Sequence, residues 1–209
     1  MRLTNRQRVQ KVIGNLMWQP GLLPRYVLHN CLASRSPIEL ELPWFSYRAI
    51  DFLKDFVRPE MRVFEFGSGG STLFFAQRCR SVESVEEDRG WGELVQERGA
   101  ASGLNNITLR ICPFDFSRAG GFDTSDYLAQ VRGCTHDVVV VDGSDDLFLC
   151  RPICFRVAEE QVAPGGIIVV DDSWRYPDLR RTHQAQRLRV FESVGPARFG
   201  VTSTDVYFY

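Results

Sequence analysis

Five carboxylates stand where apolar, strand-like runs end or nearly end: Glu65, Glu86, Asp142, Asp171 and Asp172. The first is followed by a glycine-rich turn, Gly67-Ser68-Gly69-Gly70-Ser71-Thr72, and then by helix-compatible residues from Leu73 to Ala76. Glycines let a backbone turn sharply and admit a ligand against bare main chain. Unpaired N–H groups at the start of the next helix would face that ligand. Such a turn suits a nucleoside cofactor. A dinucleotide fingerprint needs glycine at the first, third and sixth places after the strand; here those places hold Gly67, Gly69 and Thr72. Glu65 would repel a pyrophosphate and is better matched to a cationic cofactor. For the loop alone, a tight strand–helix turn without a ligand is the competing reading.

The elements that must position these residues follow in order. Residues 81–86 alternate polar and apolar and read as a second strand. It ends at Glu86, nineteen positions after Gly67, where an acidic side chain can accept hydrogen bonds from ribose hydroxyls. Glu87 and Asp88 suit the start of the next helix. Residues 107–111 form a third strand running into Cys112-Pro113-Phe114-Asp115. Residues 136–143 and 165–172 are β-branched runs ending in carboxylates, as expected of central parallel strands covered on both faces. Helical patterns lie at 88–100, 123–132 and 148–162. Strands alternating with such helices predict an α/β fold with a parallel sheet, and ligands of such sheets bind outside the carboxyl ends of the strands. All five carboxylates gather there.

From about Trp44 to Tyr209 these segments resemble the class I S-adenosylmethionine-dependent methyltransferases. The motifs are Glu65-Phe-Gly-Ser-Gly-Gly-Ser-Thr72, Val85-Glu-Glu-Asp-Arg-Gly-Trp91, Val138-Val-Val-Val-Asp-Gly143 and Pro164-Gly-Gly-Ile-Ile-Val-Val-Asp-Asp172. The first is similar to that of a bacterial subgroup, with Ser71 where the third glycine usually falls. The resemblance implies a three-layer Rossmann-like sandwich, its seven-stranded sheet mostly parallel with the last strand antiparallel. The tail agrees, since 189–194 and 205–209 read as two strands joined by a Gly/Pro-containing turn. It implies S-adenosylmethionine as cofactor, held by Glu65, Gly67, Ser68, Gly69, Gly70, Ser71, Thr72, Glu86 and Asp142. By position, Pro113, Phe114 and Asp115 would line the adenine pocket.

For catalysis, Asp142, Asp171, Asp172 and His183 are the candidates at the catalytic edge. The three aspartates resemble the magnesium triad of the catechol O-methyltransferase-like group, with Asp172 where that group has asparagine. Three carboxylates at one mouth suit a hard divalent cation; without one they would repel, and at least one would have a raised pKa. Many metal-independent members also end these strands in Asp. Beyond them, Trp174, Arg175 and Tyr176 could wall a substrate pocket or pack between sheet and helix. His183 falls in an Arg-rich stretch, 178–188, read as a polar helix.

The chain has 209 residues, 44% of them hydrophobic, enough for one enzyme domain with an extension. We divide it into an N-terminal helical cap, 1–43, and a methyltransferase domain, 44–209. Residues 1–38 carry six Lys/Arg and no Asp/Glu, leaving −7 for the rest. Val9, Val12, Ile13, Leu16 and Met17 follow helical spacing; Leu23, Val27 and Leu32 suggest a second helix after Pro20-Gly21. A cap with a solvated basic face is favoured over peripheral contact with a membrane, and nucleic acid is not expected as a partner. No apolar run reaches about 18 residues and no signal peptide is evident, so a cytoplasmic protein is expected. The six cysteines read as reduced core thiols. Cys134, His136, Cys150 and Cys154 nominally offer four zinc ligands, but their places on a central strand and a helix argue against it. The expected activity is methyl transfer to a small-molecule or glycan-type acceptor, O-methylation foremost. A nicotinamide-dependent oxidoreductase and a cofactor-binding, non-catalytic partner protein are the alternatives.

Overall fold

The computed structural model describes residues 4–32, 35–117 and 120–209. The β-branched runs pair as the alternation predicts. Strands β1 (Arg62–Phe66), β2 (Ser81–Glu86), β3 (Ile107–Ile111), β4 (His136–Val141) and β5 (Val162–Val170) are parallel, while β7 (Val201–Phe208) runs antiparallel between β5 and β6 (Arg187–Val194). The order across the seven-stranded sheet is β3-β2-β1-β4-β5-β7-β6. Chain direction across the sheet reverses between β1 and β4, the point where ligands enter folds of this kind.

Successive strand residues face opposite ways, and this divides the core in two. Val63, Val82, Val138, Val140, Ile167 and Val169 face a layer containing α1 (Asn5–Trp18), α2 (Leu23–Val27), α4 (Tyr47–Phe56) and α5 (Gly70–Ala76). Phe64, Phe66, Val139, Val141, Ile168 and Val170 face α7 (Asp126–Ala129) and α8 (Cys150–Glu159). Helix α3 (Pro37–Leu40) joins α5 and α6 (Arg89–Ala101) through Ile38, Leu73 and Val95. At the other margin α1 buries Val12 and is tied to β6 by Asn15, whose Oδ1 accepts the Val194 N–H at 3.1 Å. Val9, Ile13, Met17 and Trp18 of the same helix stay exposed. Among the described residues, no helix is long and apolar enough to cross a membrane.

Two helical expectations are corrected. The segment 123–132 folds as a 3₁₀ turn at Phe122–Thr124 and the single-turn α7. Ser125 divides them, because its hydroxyl accepts the Leu128 N–H and starts a new helix there. The segment 178–188 is not a helix. It begins in a 3₁₀ turn at Pro177–Arg180, and its last residues join β6, where Arg187 and Leu188 pair with Phe208 and Tyr207. The pairing with β7 overrides local helical preference. Strand β5 also starts earlier than expected, with a register shift opposite His136/Val138 that accommodates Pro164 and Gly165.

Candidate functional site

After β1 the backbone turns through Gly67 at φ +93°, and a Cβ there would stand 2.9 Å from the Gly143 main chain. The loops after β1 and β4 therefore touch backbone to backbone, which only glycine permits. Trp91 of α6 reaches over the turn, its indole N–H donating to the Ser68 carbonyl at 2.8 Å. Gly69 donates to the Thr72 hydroxyl at 3.0 Å. Gly70 has another role: a Cβ on it would meet the Leu42 and Pro37 carbonyl oxygens at 2.1 and 2.4 Å. It makes room for the segment behind the loop, and Ser71 and Thr72 are likewise buried in α5.

Glu65 is buried beneath this turn. One carboxylate oxygen accepts the Ser84 hydroxyl at 3.1 Å, and the other has no partner among the described residues. Burial pushes its carboxyl up to about 7, although the Ser84 hydrogen bond and the nearby Thr72 and Ser71 hydroxyls, which lie outside good hydrogen-bond geometry to the second oxygen, pull it back. Glu86, at the tip of β2, is surrounded by donors. Its Oε2 accepts the Ser68 N–H (2.9 Å) and hydroxyl (2.7 Å), and its Oε1 accepts the N–H groups of Glu87 and Asp88, both at 3.1 Å. Burial, then the nearby Glu87, push its carboxyl up to about 7. Glu87 accepts the Ser144 hydroxyl, and its Oε2 has no partner among the described residues.

The three aspartates at the ends of β4 and β5 are neutralised from within the protein. Arg151, buried in the first turn of α8, lies 3.1 Å from Asp142 Oδ1 and donates to the carbonyls of Gly143, Asp171 and Asp142. Arg198 donates to Asp172 Oδ1 at 2.9 Å and stands 3.8 Å from Asp171. The hydroxyls of Thr204 and Thr202 donate to Asp171 and Asp172, each at 2.7 Å. Burial raises Asp142 above the usual carboxylate range despite Arg151, and raises Asp171 much further, with Asp142 adding to it. For Asp172, Arg198 and Thr202 outweigh the effect of burial and hold the carboxyl below its ordinary value.

This arrangement does not fit the magnesium suggested by resemblance. Two guanidinium groups already occupy the carboxylates, and among the described residues the three aspartates do not bring one oxygen each within 4.8 Å of one another.

His183 is not brought to the site. Its ring packs edge-on against Tyr207, and the adjoining Gln184 N–H binds Glu159 at the far end of α8. Phe114 packs edge-on against Phe116 and Phe122, while Asp115 accepts the Ser117 N–H and hydroxyl. Pro113 is exposed beside them. Arg175 and Tyr176 support the scaffold: Arg175 donates to the Asp145 carbonyl, and Tyr176 donates to the Asp145 carboxylate, which also accepts the first N–H groups of α8. Trp174 is exposed and donates weakly to Asp172.

Sequence reasoning did not single out Arg151, Arg198, Asp145 or Tyr127. Arg151 left a signal, since a cation in the first turn of an apolar helix opposes the helix dipole and needs an acidic partner. Tyr127 is fully buried against Gly143, and its hydroxyl has no partner among the described residues.

A cavity of about 690 Å³ adjoins the loop. Val12, Ile13 and Tyr26 wall it from the N-terminal helices, Trp44 and Phe199 close another side, and Trp91 and Arg198 link it to the turn and to Asp172. Arg35 and His29 also line it, and no lining residue is acidic.

No family model and no curated protein matches the chain. Solved structures do. A Streptococcus mutans protein assigned as a methyltransferase, in complex with SAH, shares 11% identity over 84% of this chain and 99% of its own, with a TM-score of 0.58. A Klebsiella pneumoniae protein assigned as an O-methyltransferase shares 15% over 96% and 98%, with a TM-score of 0.59. A precorrin-6y C5,15-methyltransferase from Geobacter metallireducens shares 13% over 77% and 86%, with a TM-score of 0.54. With its strand order and these likenesses, the chain has the fold of the class I S-adenosylmethionine-dependent methyltransferases.

Proposed function

We propose that the chain transfers a methyl group from S-adenosylmethionine to a small molecule bound in the cavity beside Trp91 and Arg198. The observation that carries this reading is the convergence of the bare Gly67–Gly69 turn, the buried acids Glu65 and Glu86, and that cavity at one end of the sheet. Unpartnered buried oxygens on Glu65 and Glu87 suit a ligand that brings positive charge and hydrogen-bond donors. When bound, S-adenosylmethionine supplies a methyl already activated as a sulfonium, so the protein chiefly positions the acceptor in line.

Each residue then has a definite task. Glu86 accepts the ribose hydroxyls, and Glu65 places negative charge beneath the loop. Asp142 is half-buried at the cleft, with its carboxyl raised by burial above its ordinary value, and takes the acceptor's proton. Arg151 positions it from the α8 side. The described residues of the N-terminal segment 1–43, Val12, Ile13 and Tyr26 among them, form the acceptor-side wall beside the domain at 44–209. The cavity's aromatic lining, two arginines and lack of acids suit an acceptor with an apolar or aromatic body and an anionic or neutral polar group. An oxygen nucleophile fits a carboxylate base, which favours O-methylation.

Calorimetric titration with SAH and with NADH tests the cofactor. SAH is expected to bind and NADH not; binding of NADH alone would sink the proposal. In an acceptor screen, Phe199→Ala is expected to raise the acceptor KM while leaving SAH affinity within about twofold. A loss of SAH binding in that variant would remove the cavity's assignment.

A further inference from the structure

At the other end of the strands, three side chains converge that the cleft does not use. Cys134, in the turn before β4, places its Sγ 3.4 Å from His136 Nε2. His136, the first residue of β4, places the same nitrogen 3.9 Å from Glu83 Oε1 on β2. The sulfur, nitrogen and oxygen all lie within 4.8 Å of one another. A tetrahedral zinc ion has bonds of about 2.3 Å to sulfur and about 2.0–2.1 Å to nitrogen and oxygen, so neighbouring ligands stand about 3.3–3.7 Å apart. One separation already falls in that range, and a second exceeds it only slightly. We propose that Glu83, Cys134 and His136 form a zinc site, with a water in the fourth position, that staples the turn before β4 to β2.

The surroundings support a site of this kind. Arg110 donates to Glu83 Oε2 at 3.0 Å, which turns Oε1 toward the sulfur and the imidazole. Ligating carboxylates are typically oriented by such an outer hydrogen bond. The Phe64 ring packs 5.3 Å from the imidazole and shields it from water. The His136 side chain is itself buried. The thiolate and carboxylate supply the two negative charges that match a divalent cation; Arg110 and Arg62 add positive charge beside the site, and Asp137 stands near enough to His136 to oppose Arg62. One thiolate, one imidazole and one carboxylate suit zinc and do not suit magnesium or calcium, which take oxygen alone. Cys150 and Cys154, which with Cys134 and His136 made up the nominal four-ligand set argued against from the sequence, are buried in the core on the inner face of α8. Glu83 takes their place because strand pairing carries it there.

Binding replaces the Cys134 thiol proton with the metal, so about one proton is released per ion. The test uses the full chain, stripped with chelator and titrated first with Co²⁺ and then with Zn²⁺. One equivalent of Co²⁺ is expected to produce a thiolate-to-cobalt charge-transfer band that Zn²⁺ then bleaches. Calorimetry in buffers of different ionisation enthalpy should read the released proton. Cys134→Ser should abolish the band. Glu83→Gln should keep the band but weaken binding by more than the about 10–100-fold that even an outer-shell partner contributes. Both positions are half-buried, so the variants are expected to fold, and circular dichroism checks that they do. Absence of stoichiometric binding, or binding undiminished in Cys134→Ser and Glu83→Gln, would overturn the proposal.

Discussion

Ser68 donates both its backbone N–H and its hydroxyl to one carboxylate oxygen of Glu86, at 2.9 and 2.7 Å, while two further N–H groups fill the other oxygen. A carboxylate has about four acceptor positions, and Glu86 uses all of them on its own chain. A ribose hydroxyl can enter only where one of these donors leaves, and the Ser68 hydroxyl is the one free to rotate. Ser68→Ala is therefore expected to tighten SAH binding about threefold to tenfold, the worth of a hydrogen bond that no longer has to be displaced. Glu86→Gln should weaken binding by at least as much. Isothermal calorimetry on the two variants decides between this competition and a merely structural bond, for which Ser68→Ala would weaken binding.

The buried Glu65 sets a pH dependence. Its carboxyl rises from an ordinary 4.5 to about 7 on folding. Between these values the folded chain holds a proton that the unfolded chain has released, so stability is greatest at low pH and falls as pH rises through about 7. In denaturant unfolding, Glu65 alone should contribute a loss on the order of 3 kcal/mol between about pH 5 and pH 8. Glu65→Gln is expected to remove that share of the slope and leave the share of Glu86, Asp142 and Asp171, whose carboxyls are also raised; an unchanged slope in the variant would assign all of it to those other groups. Affinity for the cationic cofactor should move in the opposite sense, rising over the same range as the carboxylate ionises.

Asp142 and Arg151 separate chemistry from scaffold. Asp142→Asn is expected to lower kcat about 10²–10⁴-fold, the usual worth of a positioned base, with SAH affinity changed less than about tenfold. Arg151→Met removes the buried partner of a carboxylate and three carbonyl contacts. It should destabilise the fold by about 3–5 kcal/mol, read as a shifted denaturant midpoint. A mild loss in Arg151→Met would show that water replaces the guanidinium.

Because Arg151 and Arg198 neutralise the aspartates, methyl transfer is expected to need no magnesium. Initial rates of chelator-treated protein should be the same with and without added Mg²⁺. A rise on adding Mg²⁺ would mean that Arg198 swings away from Asp172 during turnover.

Much of the site was legible locally. The runs Val138–Val141 and Ile167–Val170 announce central strands because both of their faces are apolar. Gly67 announces the turn because no side chain fits there. The positions of Glu65, Glu86 and Asp142 at the carboxyl ends of β1, β2 and β4 were readable because a residue there is placed by the strand itself. His183 was misjudged because a polar, arginine-rich stretch has no strong period of its own, and pairing with β7 decided its last residues. Arg198 went unnoticed because it sits in a turn, 26 residues from its partner Asp172.

By itself, the sequence determined the strand succession, the cofactor-type loop and the acids that meet it, since each depends on residues within one element and on the period of that element. Tertiary structure decided which charges those acids face, the wall that the N-terminal helices raise beside Trp91, and the meeting of Glu83 with Cys134 and His136. Those relationships join residues far apart along the chain, and only the packing of whole elements brings them within bonding distance.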